Sequence, residues 1–222
     1  MKVHKVEKYK ACATSAMREA YNGKEVTQII KNKTKINIDI IDGKKEANII
    51  ASSDLHQFLK PNKNYLYIDV GGGSTEFSLF ANGKIEVSKS FKNGTVRQLN
   101  NMVADIVWIE MEKWIKNITT TYEDLALIGS GGNINKIFKL SEKHQDKPLS
   151  YSYLCNQFTL LNNMSYEERI ANLALNPDRA DVIIPALKIY INAMKWSKAK
   201  YIYVPKIGLS DGIVKAMYYN KI

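Results

Sequence analysis

Residues 65–76 read Tyr-Leu-Tyr-Ile-Asp-Val-Gly-Gly-Gly-Ser-Thr-Glu. The apolar first half predicts a buried strand, and the glycines predict a tight loop at its carboxyl end. Glycines without Cβ atoms adopt positive φ freely, so the backbone N–H groups of Gly71, Gly72 and Gly73 are expected to converge on a phosphate oxygen as an anion-binding nest. The hydroxyls of Ser74 and Thr75 would add donors. Asp69, just before the loop, is placed to hold Mg2+ beside that phosphate, because Mg2+ binds through one or two carboxylates plus phosphate oxygens. Glu76, just after it, would orient a water molecule or the metal. The alternative reading is a plain glycine-rich hairpin with two incidental acids; the assembly of strand, acid, glycines, hydroxyls and second acid within eight residues favours the phosphate site over it.

Downstream, Phe77–Phe80 and Lys84–Ser90 flank Asn82-Gly83 as a predicted hairpin. A long helix is expected over Val96–Ile115, with Leu99, Met102, Val103, Ile106, Val107 and Trp114 as its buried stripe. Leu125–Ile128 predicts a strand that runs into a second glycine turn, Gly129-Ser130-Gly131-Gly132, and a helix to Leu140. Helix is expected over Tyr151–Leu173 with a break at Asn162-Asn163, and again from Pro177 to about Trp196. Tyr201–Val204 reads as a last strand, and Gly208–Gly212 as the turn into a terminal helix. Upstream, a strand-like stretch ends at Ala13, and short helices are expected from Thr14 or Ser15 to Ala20 and over Glu25–Asn32. A β-branched strand over Ile36–Ile41 turns at Asp42-Gly43 into a helix over Lys45–Leu59, and the polar run 61–64 marks a domain boundary between residues 1–64 and 65–222. Strands that feed glycine turns and then helices predict an α/β layer fold, with its ligand crevice at the strand carboxyl ends.

The chain has 222 residues, 45% apolar and 24% charged, enough for a globular core and about one and a half ordinary domains. Cys12 and Cys155 stand far apart, so neither a disulfide framework nor a zinc site is expected. His4, His56 and His144 lack metal-ligand spacing, and Ser130 lies outside a nucleophile-elbow motif. No apolar run approaches the roughly 20 residues of a membrane span, and no targeting segment is evident, so a soluble cytoplasmic protein is expected and no membrane partner. The formal charge is +10, with 13 basic against 7 acidic side chains in residues 1–64 and 19 against 15 in the remainder. That excess suits a polyanionic partner. The only arginines are Arg18, Arg97, Arg169 and Arg179, which argues against sequence-specific nucleic-acid readout.

Taken with other motifs, the loop resembles the exopolyphosphatase/guanosine pentaphosphate phosphohydrolase (Ppx/GppA) family of the actin-like, ribonuclease H-like superfold. Residues 13–20 resemble its A-T-x-A-x-R-x-A segment and residues 42–47 its G-x-E-E-A turn. Residues 69–76 match the D-[IV]-G-G-G-S-T-E loop, and residues 94–97 the G-x-V-R helix start. Residues 129–132 match G-[TS]-G-G, residues 179–181 R-A-D, and residues 208–212 the closing G-L-x-[ED]-G.

The resemblance implies a second actin-like lobe with a mixed sheet and flanking helices over residues 65–222, a partial first lobe over 1–64, and release of terminal phosphate from polyphosphate or guanosine pentaphosphate. It assigns Glu46 as the catalytic base and Glu76 as a catalytic or metal-binding acid, with Asp69 the other metal ligand for Mg2+. Gly71, Gly72, Gly73, Ser74 and Thr75 become the phosphate cradle, with Arg18 as a clamp. Gly129, Ser130, Gly131 and Gly132 become a nucleotide-facing second loop. Arg97, and Arg179 paired with Asp181, are expected to be structural. Two departures stand out. Lys45 replaces the family's acid before the catalytic glutamate, and the sequence starts near the A-T-x-A-x-R segment, past the family's first phosphate loop. A homodimer or a missing N-terminal segment is therefore expected to cover the partial lobe. The alternatives are a non-catalytic polyphosphate- or nucleotide-binding module and an actin-like small-molecule kinase or ATPase.

Overall fold

The computed structural model describes residues 2–51, 53, 60, 63–122, 124–144 and 147–220. Its centre is a six-stranded sheet of β3 (Tyr65–Val70), β4 (Thr75–Ala81), β5 (Lys84–Phe91), β6 (Ala126–Ser130), β7 (Leu149–Ser150) and β8 (Tyr201–Tyr203), in the order β5-β4-β3-β6-β8-β7. The β3, β4 and β5 strands form an antiparallel meander, β6 and β8 continue parallel to β3, and β7 closes the far edge antiparallel. Asn82 and Gly83 turn the hairpin with φ of 50° and 74°, the left-handed pair that matches the twist of the strands.

Both faces of β3 are covered, which explains a strand with little polar alternation. On one face Leu66, Ile68, Phe77 and Leu79 pack with residues of α5 (Asp105–Thr121), α6 (Gly132–Leu140), α7 (Tyr151–Asn162) and α10 (Ile183–Ser197). On the other, Tyr65, Tyr67, Phe80 and Ile128 pack with Ile50 of α3 (Gly43–Ala51) and Leu209 of α11 (Leu209–Tyr218). A second, two-stranded parallel sheet pairs β1 (Ala11–Ala13) with β2 (Ile38–Ile40), connected through α1 (Ser15–Glu19) and α2 (Gly23–Thr34). The two sheets lie on either side of the expected boundary at residue 64. They are tied together where α3 crosses α11 so closely that a Cβ on Gly212 would stand 2.3 Å from the Ile49 carbonyl oxygen.

The structure corrects several expectations. In place of one helix over 96–115 there are two, α4 (Thr95–Leu99) and α5, separated where Asn101 takes a left-handed φ of 53°. Asparagine tolerates that conformation better than most residues, and the break resets the helical phase. The expected stripe holds only in its second half: Val107 and Trp114 pack against the core, whereas Leu99, Met102 and Ile106 are 41%, 62% and 57% exposed, and the fully buried face of α5 is Met111, Ile115 and Ile118. The segment from Pro177 divides into α9 (Pro177–Ala180) and α10, and α8 (Tyr166–Leu173) follows α7 after the expected break. The two-residue β7 was not foreseen. The part of the expected 45–59 helix beyond α3, and His56, lie largely outside the described residues. Among the described residues no helix is long and apolar enough to cross a membrane.

Candidate active site at the glycine loop

Asp69 and Glu76 are direct cross-strand partners in the β3–β4 ladder, so both side chains emerge on one face of the sheet, the face covered by α3. The α3 helix begins at a tight turn in which the Asp42 carboxylate accepts the Lys45 N–H at 2.7 Å. That start places Glu46 in the first helical turn, above the same face. Glu46 is 6% exposed, and among the described residues its buried Oε2 has no hydrogen-bond partner. Burial, with the neighbouring Glu76 and Asp69 carboxylates, pushes Glu46 up to about 8, against the opposing pull of Arg18. Burial and Glu76 push Asp69 up to about 7. Glu76 is also raised, by burial, although Ser74, Ser90 and Arg18 counteract it. Among the described residues no three acids, histidines or cysteines are arranged to hold a metal by themselves.

Glu76 is well anchored. Its Oε1 accepts the Ser74 hydroxyl at 2.5 Å and the Ser90 hydroxyl at 3.0 Å, and stands 3.9 Å from Arg18 Nη2. Arg18 also donates through Nη1 to the Ile41 carbonyl at 2.7 Å. The guanidinium expected to clamp substrate is thus tied to the end of β2 and to Glu76, and it does not line the cleft in front of the loop.

The glycine loop differs from the expected nest. Among Gly71, Gly72 and Gly73 none has positive φ. The Gly71 N–H bonds the Ser74 carbonyl at 3.0 Å, closing the turn. The carbonyls of the three glycines point to α4, accepting the N–H of Thr95 at 3.0 Å, the N–H of Val96 at 2.9 Å and Arg97 Nε at 2.6 Å, respectively. In a planar trans peptide the N–H points opposite to the C=O, so the N–H groups of Gly72, Gly73 and Ser74 face away from α4. The loop presents donors by peptide orientation. Glycine is required instead by crowding: a Cβ on Gly73 would lie 2.5 Å from Ser15 Oγ, and one on Gly94 2.3 Å from the Gly72 oxygen. A cleft of about 380 Å³ opens here, lined by Ser15, Glu46, Asp69, residues 71–74, Glu76, Arg97 and Met102 among others.

Thr75, expected to add a donor to the loop, does not line the cleft. Strand alternation turns it to the opposite face from Ser74 and Glu76, where it is fully buried and its Oγ1 donates to the Asn93 carbonyl at 2.5 Å. In the second motif Gly129 and Ser130 lie in β6, Gly131 makes the turn with φ of 113°, and Gly132 opens α6. This turn abuts the end of β3, but none of its four residues lines the cleft that holds Glu46. The Ser130 hydroxyl bonds the Ile207 carbonyl at 3.0 Å, and Tyr190 donates to the Ser130 carbonyl. In place of the expected pair with Asp181, Arg179 Nη1 donates to the Gly132 carbonyl at 2.9 Å.

Sequence reasoning missed Ser15, Ser90 and Tyr67. Ser15 and Ser90 carry no signal as lone serines. Tyr67, whose side chain is buried beside the site, shares a face with Asp69 by the strand's period of two, and that much was readable.

The strand order and the carboxylate-flanked glycine loop are those of an actin-like α/β fold. The chain belongs to the Ppx/GppA phosphatase family, whose model matches residues 1–220. It is similar to a bifunctional 3-dehydroquinate synthase/phosphatase of Fusobacterium nucleatum, 32% identical over an alignment of 192 positions that covers 78% of this chain and 29% of that relative. The chain therefore spans less than a third of that relative's length. Among solved structures, an exopolyphosphatase from Cytophaga hutchinsonii matches with a TM-score of 0.82 at 22% identity, over 99% of this chain and 77% of that one. The Ppx/GppA family member of Aquifex aeolicus matches with a TM-score of 0.74 at 21% identity, over 99% and 77%. At such identities the likeness is one of fold.

Proposed function

We propose that this chain hydrolyses a terminal phosphoanhydride bond, releasing orthophosphate from inorganic polyphosphate or guanosine pentaphosphate with the help of Mg2+. The observation that carries this reading is Glu46, a carboxylate at a glycine-loop cleft with a buried oxygen unpartnered among the described residues, held near neutrality by its surroundings. A base that titrates near the working pH is suited to take a proton from water as the water oxygen attacks phosphorus and the bridging P–O bond breaks. The N–H groups of Gly72, Gly73 and Ser74 would hold the non-bridging oxygens of the phosphate, and Asp69 and Glu76 would hold Mg2+.

The donor set fits that ion: crowded carboxylates that raise one another's pKa are relieved by a divalent cation, and phosphate oxygens would complete a coordination the protein alone leaves open. When bound, Mg2+ supplies neutralisation of the phosphate charge. The family membership and the phosphatase named in the curated relative support the same reaction class. The test is phosphate release from each substrate with and without Mg2+, in wild type and Glu46→Gln. Release that survives the substitution would remove Glu46 as the base, and calorimetric binding without any release would favour a binding module.

A further inference from the structure

Arg97 lies on α4, beside the six-stranded sheet, and Glu19 on α1, beside the two-stranded sheet; they are 78 residues apart in the chain. The Arg97 guanidinium donates through Nη2 to Glu19 Oε2 and through Nε to the Gly73 carbonyl at 2.6 Å. Both side chains are about four-fifths buried, each 21% exposed. The other oxygen of Glu19 accepts the hydroxyl of Ser15, one turn earlier on α1, at 3.0 Å. Ser15 in turn occupies the space that a side chain at Gly73 would need. Lys92 Nζ approaches Glu19 Oε2 at 3.6 Å from exposed surface. The glycine loop is thus held against α1 by one arginine and by direct packing. The parts so joined supply different halves of the site. Glu46 belongs with β2, which pairs with the β1 strand that leads into α1, whereas the loop and Glu76 belong to β3 and β4.

We infer that Arg97 and Glu19 are positioning residues, a latch that sets the glycine loop in register with Glu46; the catalytic consequence rests on the phosphatase reading above. A guanidinium that engages two acceptors in its own plane fixes the direction of both, which an ammonium group does not. Fixing the Gly73 carbonyl fixes the Gly73–Ser74 peptide plane, and Ser74 carries the hydroxyl bonded to Glu76. Releasing the latch therefore lets the cradle and Glu76 shift together relative to the base, and in-line attack tolerates such shifts poorly.

The test uses the full chain with Arg97→Lys, Glu19→Gln and the double variant, with inorganic polyphosphate as substrate. Each single change is expected to lower kcat about ten- to a hundred-fold with KM nearly unchanged, and the double variant to be no worse than the poorer single. A raised KM at constant kcat for Arg97→Lys, with Glu19→Gln unaffected, would make Arg97 a direct substrate ligand and overturn the latch. So would fully additive losses. A second readout needs no turnover: well below the melting transition, amide hydrogen exchange at Gly71, Thr95 and Val96, whose N–H groups make the loop's hydrogen bonds, is expected to accelerate in both single variants. Unchanged exchange would overturn the latch even if the chain released no phosphate, so the two ideas fail separately.

Discussion

Asp69 and Glu76 face each other directly across the β3–β4 ladder, separated along the chain only by the glycine loop. Like charges opposite one another on a sheet are destabilising, and here α3 adds Glu46 above them. Arg18 stands 3.9 Å from one Glu76 oxygen as a partial counterweight. Such crowding is expected to lower the stability of the metal-free chain, a cost proteins commonly carry where function demands it.

Glu46→Gln and Asp69→Asn should therefore separate stability from activity. Each is expected to reduce phosphate release at least about 100-fold, as loss of a general base or metal ligand does. Each should also raise the melting temperature of the metal-free protein near pH 8, because a desolvated charge is removed. Calorimetric or circular-dichroism melting checks this, and a clear fall would show that the ionised carboxylates are stabilising.

The pH dependence follows from the same groups. Glu46 and Asp69 titrate at about 8 and about 7 in the folded chain against ordinary values of 4.5 and 3.8, so between those limits the folded state binds more protons than the unfolded one. Stability contributed by these groups is present at low pH and is lost as pH rises through the folded values. Wild-type melting temperature should fall from about pH 5 to about pH 8.5 relative to the Glu46→Gln/Asp69→Asn double variant. Added Mg2+ should restore it at the alkaline end. Parallel profiles for the two proteins would refute the assignment.

Glycine substitutions should rank by crowding and not by φ. Alanine at Gly94 would place its Cβ 2.3 to 2.5 Å from the backbone of Gly72 and Gly73, which must then move. A loss of more than about 2 kcal/mol is expected by urea unfolding. Alanine at Gly83 meets nothing within 4 Å and suffers only the left-handed φ of 74°, a cost of about 1 kcal/mol.

The hydroxyls of the motif should separate in the same way. Thr75→Val removes only the bond to the Asn93 carbonyl, so a loss of about 1 kcal/mol with unchanged kcat and KM is expected. Ser74→Ala removes a donor from Glu76 and should lower kcat. Steady-state kinetics and unfolding on both variants check the contrast, and a raised KM in Thr75→Val would return that residue to the cradle.

Much of the fold is local. The Tyr65–Val70 strand was legible because an unbroken apolar run stops at glycine, and the hairpin because Asn82-Gly83 accepts left-handed φ. The long helix was misread since nothing in the apolar periodicity of 96–115 marks the reversal at Asn101. The wrong facing of Thr75 was avoidable: a period of two cannot put both Thr75 and Glu76 on one side of a strand. Glu46 was nominated only through family resemblance, for it follows two lysines and carries no local mark of a buried site.

By itself the sequence determined the acid–glycine–acid strand pair, the strands and turns that carry it, and the family. Only the tertiary structure decided that Glu46 hangs over Asp69 and Glu76, that Arg18 is held behind Glu76, and that Arg97 reaches Glu19 across the chain. The physical reason is that strand and turn propensities act between neighbours in sequence. Desolvation, charge repulsion and a shared guanidinium depend on which distant segments pack together, and that depends on the burial of both faces of one sheet.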